Sequence, residues 1–360
     1  MDLLKFPVPR WHELDGGRYI GTGDNVIMKD PETGWVNVGT YRIQVHDSKT
    51  AGIFCEPGQH GRIIMEKYWK DGKNCPVAVV CGQEPALFLA STYKLPIGAK
   101  EFEFAGWIRG KPLKVIQDEM FGIPFPATGE IVFIGEIPSP NDKTVIEGPF
   151  GEYTGYYGGK SRPEPVIQVR SIFHRNDPII LGCPALKPPA SGDFFVKPMH
   201  AGGIWGHLEN TGVPDIQGVW SAMKNGRAII IIAIKQRFPG HSTQAGLAAA
   251  SYRTGGQQGR FVIIVDDDID PSNLGDVLWS MGTRCDPSTS INILNGTWAP
   301  ILDPLLSVEK RAKSDFTGSI AIIDACKPFY WKDEFPKVSR SSETLRKTVL
   351  KKWSKLFEEF

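Results

Sequence analysis

The run AIIIIAI at 228–234 places seven apolar residues in succession, five of them isoleucine. β-Branched side chains favour an extended backbone, and a run with no polar alternate buries both faces of its strand. A chain that carries this run needs a sheet covered on two sides. Four further stretches read as strands: NCPVAVVCG (74–82), GEIVFIGEIP (129–138), PVIQVRSIF (165–173) and RFVIIVDDDID (260–270). The 39 glycines and 28 prolines among 360 residues punctuate these short apolar runs and mark turns between strands. Helical segments are predicted at EPALFLAST (84–92), STQAGLAAASYR (242–253) and NLGDVLWSM (273–281), the last preceded by Asp270, Pro271 and Ser272 as start signals. The loop-like stretch RNDPIILGCPALKPPASGD at 175–193 separates a mainly β front half from a β/α back half. The expected fold class is therefore α+β, with units at 1–180 and 181–340. A terminal helix at 341–360 places Leu345, Val349, Trp353, Leu356, Phe357 and Phe360 along one face, to dock on its own domain or on a partner subunit.

Forty-one basic residues face forty acidic ones, a net charge of +1, which argues against a dedicated nucleic-acid or anionic-membrane surface. No stretch approaches a membrane span and the start lacks a signal-peptide pattern, so a cytoplasmic protein is expected. The six cysteines contain no CxxC pair, which indicates neither a disulfide framework nor a zinc site.

The segment EGPFGEYTGYY (147–157) puts Glu147 and Glu152 five residues apart with Gly148, Pro149 and Gly151 between them. Five residues align side chains in neither a strand nor a helix. The segment therefore reads as a tight turn that folds the two glutamates toward one point, or else as a surface turn with both solvated. Paired carboxylates suit acid–base chemistry because one tends to keep its proton while the other stays ionised. Upstream, GWVNVGTYRIQV carries Asn37, Gly39 and Arg42; CEPGQHGRI places His60 after a Pro-Gly turn; and PIGAKEFEFAGWIRG is expected as an alternating strand with Glu101 and Glu103 on one face. An arginine beside a carboxylate can lock it in place, and an Asn, His and Glu set suits Mn²⁺ or Mg²⁺. Asp266, Asp267 and Asp268 close an apolar strand and are expected in strand-end and helix-cap roles rather than as a magnesium site.

In their order, NVGTYR, GQH, KEFEFAG, PATGEIVFIGEI, EGPFGEYTGYY and VDDDID…VLWSMGTRCDP together resemble the UbiD family of decarboxylases over nearly the whole chain. The resemblance implies a split-β-barrel flavin-binding domain followed by a β/α domain, and a reversible non-oxidative decarboxylase using prenylated FMN. It implies Arg42, Glu147 and Glu152 as the catalytic set, with Glu152 as proton donor and Arg42 and Glu147 positioning the carboxylate. Asn37, His60 and Glu101 are implied as Mn²⁺ ligands that hold the flavin phosphate. Gly39, Thr40, Tyr41, Gln59, Ala90, Ser91, Thr92 and Tyr93 are implied around the cofactor and an accompanying K⁺, with Arg253 as the nearest cofactor-binding cation. Phe195, Val196, His200 and Trp298 fall where relatives line the substrate pocket. The implied partners are an aromatic or α,β-unsaturated carboxylic acid, a flavin prenyltransferase that supplies the cofactor, and further copies of the chain in a homo-oligomer. Family members carry a further N-terminal segment ahead of LLKFPVPRWHELDGG. The competing readings are a flavin reductase on a similar barrel and an accessory subunit of a larger decarboxylase.

Overall fold

The computed structural model describes residues 1–93, 95–157, 159–187, 193–222, 229–252 and 259–357, without the side chains of 193–195 and 357. The first half is a curled, mostly antiparallel sheet. Its strands are β1 (Arg18–Gly21), β2 (Asn25–Lys29), β3 (Val36–Gly39), β4 (Arg42–Val45), β5 (Thr50–Phe54) and β6 (Cys75–Cys81), with β7 (Val115–Gln117) and β8 (Pro124–Pro126) forming a separate small ribbon. β9 (Ile131–Ile137), β10 (Thr144–Glu147) and β11 (Arg162–His174) complete it, in the order β1-β4-β5-β11-β9-β6-β2-β3 with β10 paired to β11. Phe133, Ile20, Met28, Ile43, Ile53, Ile64 and Val79 form the core beneath the sheet. Ile27, Ala78, Ile134 and Leu87 form another on its opposite face. Successive residues of β2, β6 and β9 alternate between these two cores, so the central strands are apolar throughout.

Helix α1 (His60–Lys70) covers the first core; α2 (Pro85–Thr92) and α3 (Glu101–Arg109) cover the second. The expected strand at 100–104 is instead the opening of α3. Glu101 and Glu103 lie in its first turn, where the positive helix terminus favours carboxylates, and Gly110 ends it in the left-handed region. Ala105 packs inward at i+4 from Glu101, and Phe102 and Phe104 flank the same core. The EFEF alternation satisfied both periods over four residues; the continuation AGWIRG decides for the helix.

After α4 (Asp193–Asn210), a second sheet runs β12 (Ile216–Ser221), β13 (Ile229–Ile234), β14 (Phe261–Asp266), β16 (Thr317–Asp324), β15 (Ile291–Trp298) in spatial order. β13, β14 and β16 are parallel neighbours and the flanking strands antiparallel. β13 is the isoleucine run, and it sits between two cores, one with α4 and α5 (His241–Ser251), the other with α6 (Leu274–Arg284). α7 (Val308–Ala312) is short, and α8 (Glu343–Lys352) and α9 (Ser354–Phe357) end the chain. Leu345, Val349, Trp353 and Leu356 are all exposed there, so this apolar face is not docked on the rest of the described chain. Among the described residues no helix is long and apolar enough to cross a membrane.

Candidate active site

Arg42 opens β4 opposite Phe54 of β5, and its guanidinium lies over the Phe54 ring at 4.2 Å. Glu147 closes β10. Gly148 then takes a φ of +83° and Pro149 follows through a cis bond, so the chain reverses and Glu152 returns to the same point. The reading of a tight turn holds and the solvated alternative fails: Glu147 is 0% exposed and Glu152 8%. Arg42 forks onto Glu147, with Nε at 2.7 Å from Oε1 and Nη2 at 2.8 Å from Oε2. Its remaining Nη1 bonds Glu152 Oε1. The two glutamates are therefore unequal, one held bidentately and the other by a single arm.

The surroundings fix this geometry. Tyr19 donates toward Glu147 Oε1 at 3.0 Å and also lies 3.1 Å from Gln44 Oε1. Gly148 N donates to Gln44 Oε1 at 3.1 Å, and Ser161 donates to the Gly148 carbonyl at 2.9 Å. Gly16 N bonds the Pro149 carbonyl at 2.7 Å, and a Cβ at Gly16 would fall 1.8 Å from Gly148 O. Gly16→Ala is therefore expected to displace the turn and cost about 2–4 kcal/mol of stability; unchanged urea melting would show that the loop gives way freely. Burial raises the Glu152 carboxyl above its ordinary value against the pull of Arg42, with Glu56 and Glu147 adding to the rise. Burial works to lower the Arg42 value, but Glu152 and Glu147 outweigh it and keep the guanidinium charged. Tyr19 stays a neutral donor because burial, and then Glu147, push its ionisation up. Tyr19 and Gln44 carried no local signal beyond Gln44 standing at i+2 from Arg42, on the same face of a strand with apolar neighbours.

Next to this triad, Asn37, His60 and Glu101 gather around the end of β3. Glu101 Oε2 accepts from Val38 N at 3.1 Å, and the His60 ring meets Trp35 edge-on at 5.1 Å. Tyr41 OH accepts from Gly61 N at 3.0 Å, tying α1 to the strand. Asn37 is buried, and its amide Nδ2 has no hydrogen-bond partner. Burial pushes the Glu101 carboxyl up to about 7. His60 and Glu101 are the first residues of α1 and α3, and neither helix has a side-chain cap from its N-cap residue, so the positive ends of two helices meet at this corner. Among the described residues no three His, Cys, Asp or Glu side chains form a metal-type cluster; the set here has two of those types plus an amide. An orphaned buried amide, an imidazole, a carboxylate and two positive helix ends fit a phosphate held with a hard cation.

Thr40 Oγ1 contacts Ser91 Oγ at 2.8 Å and donates to Asp24 O at 3.0 Å. Ser91 also accepts from Asn25 at 2.7 Å, so Gly39, Thr40 and α2 share one wall. Thr92 Oγ1 donates to Leu89 O at 2.9 Å within its own helix. Gln59 closes the turn before α1, its Nε2 at 3.4 Å from Glu56 Oε2.

A cavity of about 500 Å³ opens against Tyr153 and Thr154, the residues that follow Glu152, and is walled by Trp298, Pro300, Leu306 and Arg260 among others. Trp298 therefore lines a pocket, whereas Val196 and His200 are buried one turn apart on α4 and are not part of that wall. Arg253 and the side chain of Phe195 lie outside the described residues. The acidic strand end is held by cations: Asp268 binds Arg284 at 2.8 and 2.9 Å and Lys327 at 2.9 Å, while Asp266 accepts from Lys327 N at 2.7 Å. Asn273 caps α6.

Comparison with known proteins bears on this arrangement. Residues 1–188 match the model of the 3-octaprenyl-4-hydroxybenzoate carboxy-lyase Rift-related domain, and residues 193–325 match that of the C-terminal domain of the same carboxy-lyases. The chain is 30% identical to a pyrrole-2-carboxylic acid decarboxylase of Pseudomonas aeruginosa over 98% of its own length and 73% of the relative's. It is 31% identical to a phenolic acid decarboxylase of Bacillus subtilis over 84% of its length and 63% of that protein's. Among solved structures, the UbiD-class enzyme HmfF from Pelotomaculum thermopropionicum in complex with FMN superposes with a TM-score of 0.84 at 28% identity, over 95% of this chain and 74% of the other. An evolved dimeric form of HmfF in complex with prFMN gives 0.80 at 27%, over 96% and 73%. The chain thus spans roughly two thirds to three quarters of the length of such proteins. Family models covering both sheets and identities of 30% over most of two named decarboxylases leave one conclusion: the chain belongs to the UbiD family of carboxy-lyases.

Proposed function

We propose that the protein is a reversible, non-oxidative decarboxylase of an aromatic or α,β-unsaturated carboxylic acid that works with prenylated FMN. The observation that carries this reading is the buried Arg42 forked between two unequal glutamates, one of which burial keeps toward its acid form. Loss of CO₂ from an sp² carbon leaves electrons that no side chain can delocalise, and the prenylated flavin supplies the sink. Arg42 orients the substrate carboxylate through its Nη1 side, and Glu147 and Tyr19 hold the guanidinium in place. Glu152, protonated and within reach of that arm, delivers its proton to the carbon that CO₂ leaves. Asn37, His60 and Glu101 would hold Mn²⁺, or Mg²⁺, against the flavin phosphate, and Ser91 and Thr92 would stand by the flavin and a K⁺. The cavity beside Tyr153 and Trp298 would receive the ring of the acid.

A flavin prenyltransferase is the implied supplier of the cofactor, and the exposed apolar face of α8 fits docking on another copy of the chain. The reductase reading is disfavoured by family membership, and retention of Arg42, Glu147 and Glu152 speaks against a purely accessory role. The test is co-expression with a flavin prenyltransferase in the presence of Mn²⁺, followed by the mass of the small molecule released on denaturation and CO₂ release from a panel of acids. Prenylated FMN with CO₂ release is expected. Plain FMN with NAD(P)H consumption and no CO₂ would overturn the reading in favour of a reductase.

A further inference from the structure

Arg42 is held over its flat faces as well as along its edges. Three of its five N–H groups go to Glu147 and Glu152, and the other two are what an incoming carboxylate can take. Hydrogen bonds in the plane of a guanidinium fix its edges, and what covers its faces sets its tilt. Phe54 covers one face: it pairs with Arg42 across β4 and β5, and its ring centroid lies 4.2 Å from Arg42 Cζ. The Phe150 ring stands farther off at 5.4 Å and packs on Tyr19, 4.3 Å between centroids. Phe54, which is buried, also meets a second cation. β5 lies between β4 and β11 in the sheet, and Arg162, the first residue of β11, brings its Cζ to 4.5 Å from the same centroid. Arg162 Nε donates to Glu164 Oε1 at 2.5 Å, and Arg162 stands in register with Glu147, the carboxylate that grips Arg42. Each guanidinium is balanced by its own carboxylate, so the two cations share one ring without repulsion deciding the geometry. The negative face of an aromatic ring attracts a cation in a way that an aliphatic side chain of similar bulk does not.

We propose that Phe54 is a positioning residue for the reaction: its ring, steadied from β11 by Arg162, holds the Arg42 guanidinium at the tilt in which its two remaining N–H groups meet the substrate carboxylate. This rests on the decarboxylase reading and adds to it the ring that orients the carboxylate-binding cation. Phe54 acts through Arg42, so weakening its face lowers affinity for the acid and leaves the proton transfer from Glu152 in place.

The test replaces Phe54 in the holoenzyme with mono-, di- and trifluorinated phenylalanine, which keep the shape of the ring while drawing negative charge off its face, and with leucine as the ringless end of the series. For any acid the wild type decarboxylates, KM is expected to rise stepwise along the series, to about fivefold at the trifluorinated ring and at Phe54→Leu, with kcat within about twofold. A role in packing alone would not follow the charge on the face, so a KM that stays level or falls with fluorination overturns the proposal. Arg162→Met should raise KM on the native ring and add nothing on the trifluorinated one; independent effects overturn the shared-ring arrangement. If no acid loses CO₂, the decarboxylase reading fails. Calorimetric Kd values for benzoate across the same proteins then still decide for Phe54: stepwise weakening supports its role, and affinity that is level or absent overturns it.

Discussion

Glu152→Gln retains the flavin and loses turnover by about a thousandfold, within the range general acids contribute. The amide introduced there can still accept from Arg42 Nη1 through its oxygen, so the fold of the turn and the corner around Asn37, His60 and Glu101 should be undisturbed. What disappears is a removable proton. The wild-type pH profile follows from the same residue: burial raises the Glu152 carboxyl above its usual range, so its acid form persists to higher pH than that of a solvated glutamate. Activity that depends on that form is present below the raised value and falls as pH climbs through it. Single-turnover CO₂ release and flavin content, measured together across pH, check both statements. Turnover in the variant within a few-fold of wild type would remove Glu152 from the role of proton donor.

The second large effect is expected at Arg42. Its side chain is 12% exposed and offsets two carboxylates, of which Glu147 is fully buried. Removing one partner of a buried charge pair leaves the other without compensation, and Arg42→Ala should cost about 3–5 kcal/mol of stability as well as substrate binding. The stranded carboxyls can shed their charge by binding protons, so the deficit should be smaller at pH 5 than at pH 8. Stability in the variant is therefore lost as pH rises, the opposite of the usual acid denaturation. Arg42→Lys keeps a charge but cannot span Glu147 bidentately while reaching Glu152, and it should recover stability more than activity. Urea melts of both variants at the two pH values are the measurement. A pH-independent loss below about 1 kcal/mol would mean that the triad contributes little to holding the fold.

Legibility differed along the chain for physical reasons. The isoleucine run at 229–232 and the apolar strands 75–81 and 131–137 were readable because a strand buried on both faces must be apolar at every position. The turn at 147–152 was readable because glycine serves a positive φ, as at Gly148, and proline fits a turn rather than a helix or central strand. The EFEF stretch is too short to separate the two periods, and helix α3 is decided by packing of Phe102, Phe104 and Ala105 on a core built from distant strands.

Local sequence carried the choice of open conformations, the ordered motifs that mark the family, and the residue types able to do acid–base and phosphate-binding chemistry. Long-range packing set the unequal division of Arg42's bonds between Glu147 and Glu152 and brought Tyr19 and Gln44 to brace the turn. The reason is separation along the chain. Glu147 lies 105 residues from Arg42 and 128 from Tyr19, so burial and partner geometry there arise from sheet register, which no local pattern encodes.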